Sequence, residues 1–130
     1  MRGEIISAHH QGWNMKIESR TENGVLIVSI EGRMDAVSAP EFDKRCDEYL
    51  LQGRNAFILD FRALEYISSA GLRSILILGK KLAARKGTLL IASAKDVVKE
   101  IFQISGFGAL FPILDSVDAA LQKASGSTAT

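Results

Sequence analysis

One cysteine, two histidines and one tryptophan in 130 residues leave little of the side-chain chemistry on which many enzymes depend. Cys46 has no second thiol with which to close an internal disulfide or to form a metal-binding cysteine pair. His9 and His10 are adjacent near the N-terminus, where two neighbouring imidazoles do not readily face one ion, and no carboxylate cluster accompanies them. No histidine remains in the body of the chain to act as a general base, and no glycine-rich phosphate loop occurs. Catalysis is not expected, and no metal or cofactor is implied.

Charge of one sign is also lacking. Sixteen basic and fifteen acidic residues give a net charge of +1, so no overall field points to direct nucleic-acid or anionic-membrane binding. Charged residues interrupt every hydrophobic stretch well short of the roughly 20 residues that a membrane-spanning helix needs, and the N-terminus has no uninterrupted apolar signal core. A cytoplasmic protein without a membrane span is expected. A monomer is expected too, because no second apolar stripe is evident. A chain of this length can bury about two-thirds of its unfolded surface and folds as one domain without staples.

What is present is a regular alternation of patterns. Residues 1–14 show no clear period and form a peripheral leader. Trp13 in it can serve as a partner anchor or pack on the domain edge. Met15 onward alternates as a strand, Asn23-Gly24 favours a tight turn, and Val25 to Glu31 returns as a second strand, giving an antiparallel hairpin. Ser38-Ala39-Pro40-Glu41 has capping-box spacing before a helix that carries Phe42, Cys46, Tyr49 and Leu50 on one face. On that face Cys46 reads as a buried, inert thiol.

Ala56 to Phe61 is a nearly continuous apolar run, as expected for a central strand covered on both faces. A second helix follows from about Ser69 to Arg85, with Leu72, Ile75, Leu76, Gly79, Leu82 and Ala83 at helical spacing. Thr88 to Ala92 is a fourth strand. Ser93 can cap a third helix whose Val97, Val98, Ile101 and Phe102 face the core, with Gly106 ending it. Leu110 to Leu114 reads as a fifth strand, and Ser116 can cap a last helix with Val117, Ala120, Leu121 and Ala124 on one side, before a polar tail over 125–130. The predicted class is α/β, a single domain over 15–124 in the order ββαβαβαβα, with about four helices and a mixed, mostly parallel sheet.

Two hydroxyls, Ser68 and Ser69, fall where an apolar strand region gives way to the second helix. One of them can be an ordinary cap, since a helix N-terminus offers unpaired N–H groups and partial positive charge. The same environment accepts a phosphate, which would carry about −1.5 to −2 charges. The glutamate or glutamine of a full capping box is missing, because Gly71 and Leu72 stand three residues on, and small Ala70 and Gly71 leave the backbone open to approach.

Four segments acting together, Gly32-Arg33-Met34-Asp35, Leu59-Asp60-Phe61, Tyr66 to Leu72, and Ser105-Gly106-Phe107, resemble the STAS domain over about Met15 to Ala124. This is the family of bacterial anti-sigma factor antagonists and of the cytoplasmic domains of sulphate transporters. In the antagonists an Asp-Ser-Ser-Gly-Leu-like segment starts the second helix, and the serine after the Asp position is phosphorylated by a kinase that is itself the anti-sigma factor. That serine corresponds to Ser69; Ser68 stands at the Asp position, Ala70 replaces the second serine, and Arg73 stands where glycine is frequent.

The resemblance implies partner switching. The unmodified protein binds an anti-sigma factor or serine kinase and frees the sigma factor, phosphorylation at Ser69 (alternatively Ser68) releases it, and a serine phosphatase resets the cycle. The implied partner surface combines Asp35 with Ser68, Ser69, Ala70, Gly71, Leu72 and Arg73. Asp35 can equally be a turn residue before a helix, and Arg73 a solvated cation. Two other functions stay open: a phosphorylation-independent STAS interaction module of a transport or signalling complex, and a sensor holding a small anion at the helix N-terminus.

Overall fold

The structure, a computed structural model, describes the backbone of residues 15–129 and the side chains of residues 15–125. The leader over 1–14, with His9, His10 and Trp13, lies outside the described residues. Strands β1 (Met15–Glu22) and β2 (Val25–Met34) form the expected antiparallel hairpin, Met15 opposite Gly32 and Glu22 opposite Val25. Asn23 and Gly24 both take positive φ, 53° and 78°, which the tight turn demands and few other residue pairs tolerate.

Helix α1 (Ala39–Leu51), strand β3 (Ala56–Asp60), strand β4 (Leu64–Ile67), helix α2 (Ser69–Ala84), strand β5 (Thr88–Ala92), helix α3 (Asp96–Ser105), strand β6 (Ile113–Leu114) and helix α4 (Val117–Ala129) follow along the described residues. The sheet runs β1-β2-β3-β5-β6, parallel after the hairpin. The predicted order holds, with one short strand added. β3 pairs with Leu26 to Ser29 of β2, and β4 then takes over the same edge at Gly32 to Met34, across a register shift between Gly32 and Arg33. Four residues of β4 are too few to show a period, so this handover was not visible in the sequence.

Alternation along the strands sorts the core into two layers. Leu26, Val28, Ile30, Phe57, Leu59, Phe61, Leu89 and Ile91 point towards α1, α2 and α3, where they meet Phe42, Tyr49, Ile75, Leu78, Val98 and Phe102. Val25, Ile27, Ile58, Leu90 and Ala92 point the other way and are covered by Ala120, Leu121 and Ala124 of α4. β3 is therefore buried on both faces, as its apolar run requires.

Local expectations fail where tertiary packing overrides them. Ser93 takes φ of 63° and does not cap α3, which starts at Asp96 behind Lys95. The fifth strand shrinks to Ile113–Leu114 because Phe107–Ala109 form a 3₁₀ turn and Phe111 turns inward onto α2. A Cβ on Gly79 would lie 2.6 Å from the Phe111 ring, so glycine there is a seat for that ring. Ala83 and Val97, expected inside, are exposed, and Leu78 takes the inward place on α2. α4 continues to Ala129, into the stretch expected as a polar tail. No helix among the described residues is long and apolar enough to cross a membrane.

Cys46 is 3% exposed on the inner face of α1, and burial, with Asp43 and Asp47 adding repulsion, pushes its thiol up to about 12. A group whose folded pKa is raised loses its stabilising contribution as pH climbs from the unfolded value towards the folded one. Native protein should therefore react with a thiol-specific disulfide reagent at pH 8 only at its unfolding rate. Its thermal midpoint should fall faster between pH 9 and 12 than that of Cys46→Ala. Rapid labelling of the folded chain would show the thiol to be accessible instead.

Candidate functional site

The site forms where the end of β2, the end of β4 and the start of α2 meet. The Ser68 N–H donates to the Met34 carbonyl at 2.9 Å, which ties the entry to α2 directly to the last residue of β2. Gly71, one turn in, is buried against the same residue: a Cβ there would lie 2.7 Å from Ile67 Cγ1 and 2.9 Å from the Met34 carbonyl oxygen. The backbone at Gly71 is therefore closed by packing and is not open to approach. Leu72 is also buried, at 6%, and packs in the core, so neither residue offers a side chain to a partner.

The two serines divide their duties. Ser68 is the N-cap, extended at φ −94° and ψ 177°, and its Oγ accepts the Gly71 N–H at 3.3 Å. Ser69 is the first helical residue; it is exposed, and its hydroxyl makes no side-chain hydrogen bond among the described residues. Ala70 is partly buried beside it, and Arg73 is exposed four residues on, on the same helical face as Ser69.

Asp35 stands on the loop that leaves β2. Its Oδ1 accepts the N–H groups of Val37 at 3.0 Å and Ser38 at 3.1 Å. Ser38 is buried; its hydroxyl donates to the Arg33 carbonyl at 2.8 Å and accepts the Asp35 N–H at 2.9 Å. Ser38 thus precedes α1 as expected, yet its hydroxyl braces the loop and does not cap the helix. The hydrogen bond from the Ser38 backbone, followed by those from Val37 and the Ser38 hydroxyl and by the Arg33 charge, holds the Asp35 carboxyl below the usual carboxylate range. Asp35 is therefore a loop organiser whose second oxygen lies 3.9 Å from Arg33 Nε.

Three residues beyond the expected set join this surface. Arg33 and Tyr66 are cross-strand partners of β2 and β4, and the guanidinium lies 4.4 Å from the Tyr66 ring centroid. Val37 is 74% exposed in the Asp35 loop, an apolar side chain held outward by the bonds on either side of it. The first pair depends on the β4 register, which no local pattern encodes. The only sequence signal for Val37 is a valine in the short polar stretch between Asp35 and Ser38. Together Arg33, Asp35, Val37, Tyr66, Ser69 and Arg73 make a mixed apolar and charged surface around one free hydroxyl. Among the described residues no group of histidine, cysteine and carboxylate side chains has the arrangement of a metal site.

Substitution separates the structural from the accessible positions. Ser68→Ala should cost about 0.5–2 kcal/mol through the lost cap, and Gly71→Ala about 1–3 kcal/mol through overpacking. Ser69→Ala should stay within about 0.5 kcal/mol of the parent protein. Denaturant melts of the three variants check the order, and a Ser69→Ala loss as large as that of Ser68→Ala would assign the cap to the wrong serine.

The chain and its fold have relatives among known proteins. The STAS domain family profile matches residues 16–120. A protein of Bordetella bronchiseptica named as an anti-sigma factor antagonist, BtrV, is 35% identical over 106 residues, covering 82% of this chain and 91% of its own. The anti-sigma F factor antagonist of Paenibacillus polymyxa is 28% identical over 110 residues, covering 83% and 93%. Among solved structures, TM1081 of Thermotoga maritima superposes with a TM-score of 0.79 at 21% identity, covering 89% of this chain and 97% of that one. The antagonist SpoIIAA in its unphosphorylated form gives 0.75 at 18% identity, covering 85% and 97%. With the profile spanning most of the chain and a relative 35% identical over 82% of it, the protein belongs to the STAS domain family.

Proposed function

We propose that the chain is an anti-sigma factor antagonist that works by partner switching. The unmodified form binds an anti-sigma factor with serine-kinase activity and frees a sigma factor; phosphorylation of Ser69 ends that binding, and a serine phosphatase restores it. The names of the Bordetella and Paenibacillus relatives support the role. The observation that carries the switch is the division of labour between Ser68, whose oxygen caps α2, and Ser69, whose hydroxyl is exposed and unengaged.

The energetics fit a switch that acts on binding and spares the fold. A phosphate on Ser69 would sit at the positive end of α2, with Arg73 one turn along to pair with it, so the free protein bears the charge at little cost. Inside a complex the same dianion must lose its water and faces whatever carboxylates the partner brings. A hundredfold loss of affinity requires about 2.8 kcal/mol, within the range of one uncompensated charge at an interface. Partly buried Asp35, exposed Val37 beside it, and Arg73 would complete the contact, with the site remaining non-catalytic.

The test is incubation with ATP and the serine kinases of the source lysate, followed by peptide mass spectrometry, with Ser69→Ala as control. Phosphate on Ser69 is expected, and phosphate confined to Ser68 would move the switch onto the capping residue. Ser69→Asp should weaken partner binding at least tenfold with the thermal midpoint nearly unchanged. Intact partner binding without any phosphorylation would leave a phosphorylation-independent interaction module.

A further inference from the structure

The hairpin strand β1 is the edge of the sheet, and it is long: eight residues paired with β2 on one side and, among the described residues, with no strand on the other. An edge of this length exposes unpaired backbone groups that invite another strand. The Ile17 carbonyl points outward, because it accepts a hydrogen bond from Arg45 Nη2 of α1. With a period of two, the N–H and C=O groups of Ser19 and Thr21 point outward as well.

The charges on this strand have an order that a defended edge does not need. Lys16, Glu18, Arg20 and Glu22 alternate in sign along one face, with side chains 58%, 68%, 51% and 44% exposed. Among the described residues of one copy they form short-range ion pairs, Lys16 with Glu18 and Arg20 with Glu22. Reversed and laid against itself about Ser19, the sequence is complementary to itself: Lys16 meets Glu22 and Glu18 meets Arg20, each twice. The outward-pointing residues then face each other as hydrogen-bonded pairs, Ser19 with Ser19 and Ile17 with Thr21.

Neighbouring registers are disfavoured. Centring the pair on Glu18 sets Glu18 against Glu18 and Lys16 against Arg20, and centring it on Arg20 sets Arg20 against Arg20 and Glu18 against Glu22. A one-residue slip places charged side chains opposite Ile17 on the core face. An edge built to repel would carry one sign of charge; this one sets opposite charges face to face when centred on Ile17, Ser19 or Thr21, and only the Ser19 register brings all four charged residues into such pairs.

We propose that β1 pairs antiparallel with β1 of a second copy, centred on Ser19, to give a two-fold dimer with one sheet continuous through both copies. The expectation of a monomer rested on the lack of a second apolar stripe, and edge-to-edge pairing requires none. Among the described residues Arg45 stands in the way, bonded to an outward carbonyl of β1. Its Nη2 bond to the Ile17 carbonyl is 3.5 Å long, at the limit of a hydrogen bond, and the guanidinium has Tyr49 Oη at 3.3 Å and Glu41 at 3.9 Å as further partners, so little is lost when that bond is given up. The inference stands apart from the phosphorylation switch, since β1 carries none of the residues of that site.

Sedimentation equilibrium of the full chain from about 1 μM to about 1 mM tests it, the range in which a small interface dissociates. The parent protein should show a monomer–dimer equilibrium. Glu18→Arg and, separately, Arg20→Glu should each weaken it at least tenfold, and the double exchange Glu18→Arg with Arg20→Glu should return it to within about threefold of the parent. Thermal melts confirm that these exposed variants remain folded. A monomer mass throughout, a dimer indifferent to either single reversal, or no rescue by the double exchange would each overturn the proposal.

Discussion

The hydrogen bond from the Ser68 N–H to the Met34 carbonyl is the joint on which the functional end of the molecule depends. It sets the first turn of α2 against the last residue of β2, and the absence of a side chain at Gly71 lets that contact close. The joint also fixes the loop that leaves β2 at Asp35, so two segments more than thirty residues apart in sequence form one surface. Without the close approach at Gly71, the Ser69 hydroxyl and the Asp35 loop would have no fixed relation, and a partner would have to order them at an entropic cost.

From this joint follows the separation of bonded and accessible groups on adjacent residues. Ser68 bonds the helix N-terminus, Gly71 and Leu72 are committed to packing, and Ser69 is left facing solvent on the same face as Arg73. A modification at Ser69 therefore changes charge at the surface without disturbing the cap. Asp35 shows the same economy: one oxygen organises its loop while the other faces Arg33, whose guanidinium is in turn held over Tyr66.

The sheet imposes the remaining constraint. Among the described residues three helices cover one face and one helix the other, while the hairpin strand β1 remains at the margin with its outer backbone groups unpaired by any described strand. Such an edge needs either protection or a partner. Arg45 supplies slight protection, and the alternating charges of β1 supply a complement.

Much of this was legible in the sequence because it is encoded by short-range periodicity. The hairpin turn at Asn23-Gly24, the buried run of β3, the apolar stripes of α1 and α4, and the class and order of the domain all follow from spacing that a single segment carries. The pairing of Ser68 and Ser69 at a helix start was visible too, and so was the family resemblance. Which serine caps, and whether Gly71 is open or packed, depended on how β2 and β4 approach α2, and that distance is set by segments far apart in the chain. β4 is too short to show a period, Ser93 takes positive φ and leaves the start of α3 to Lys95, and the Phe111 ring seats on Gly79 across the fold. The amino-acid sequence alone determined the elements and the chemistry available to them; only the tertiary structure decided which of those groups are spent on packing and which face a partner, because burial is a property of neighbours that local periodicity does not contain.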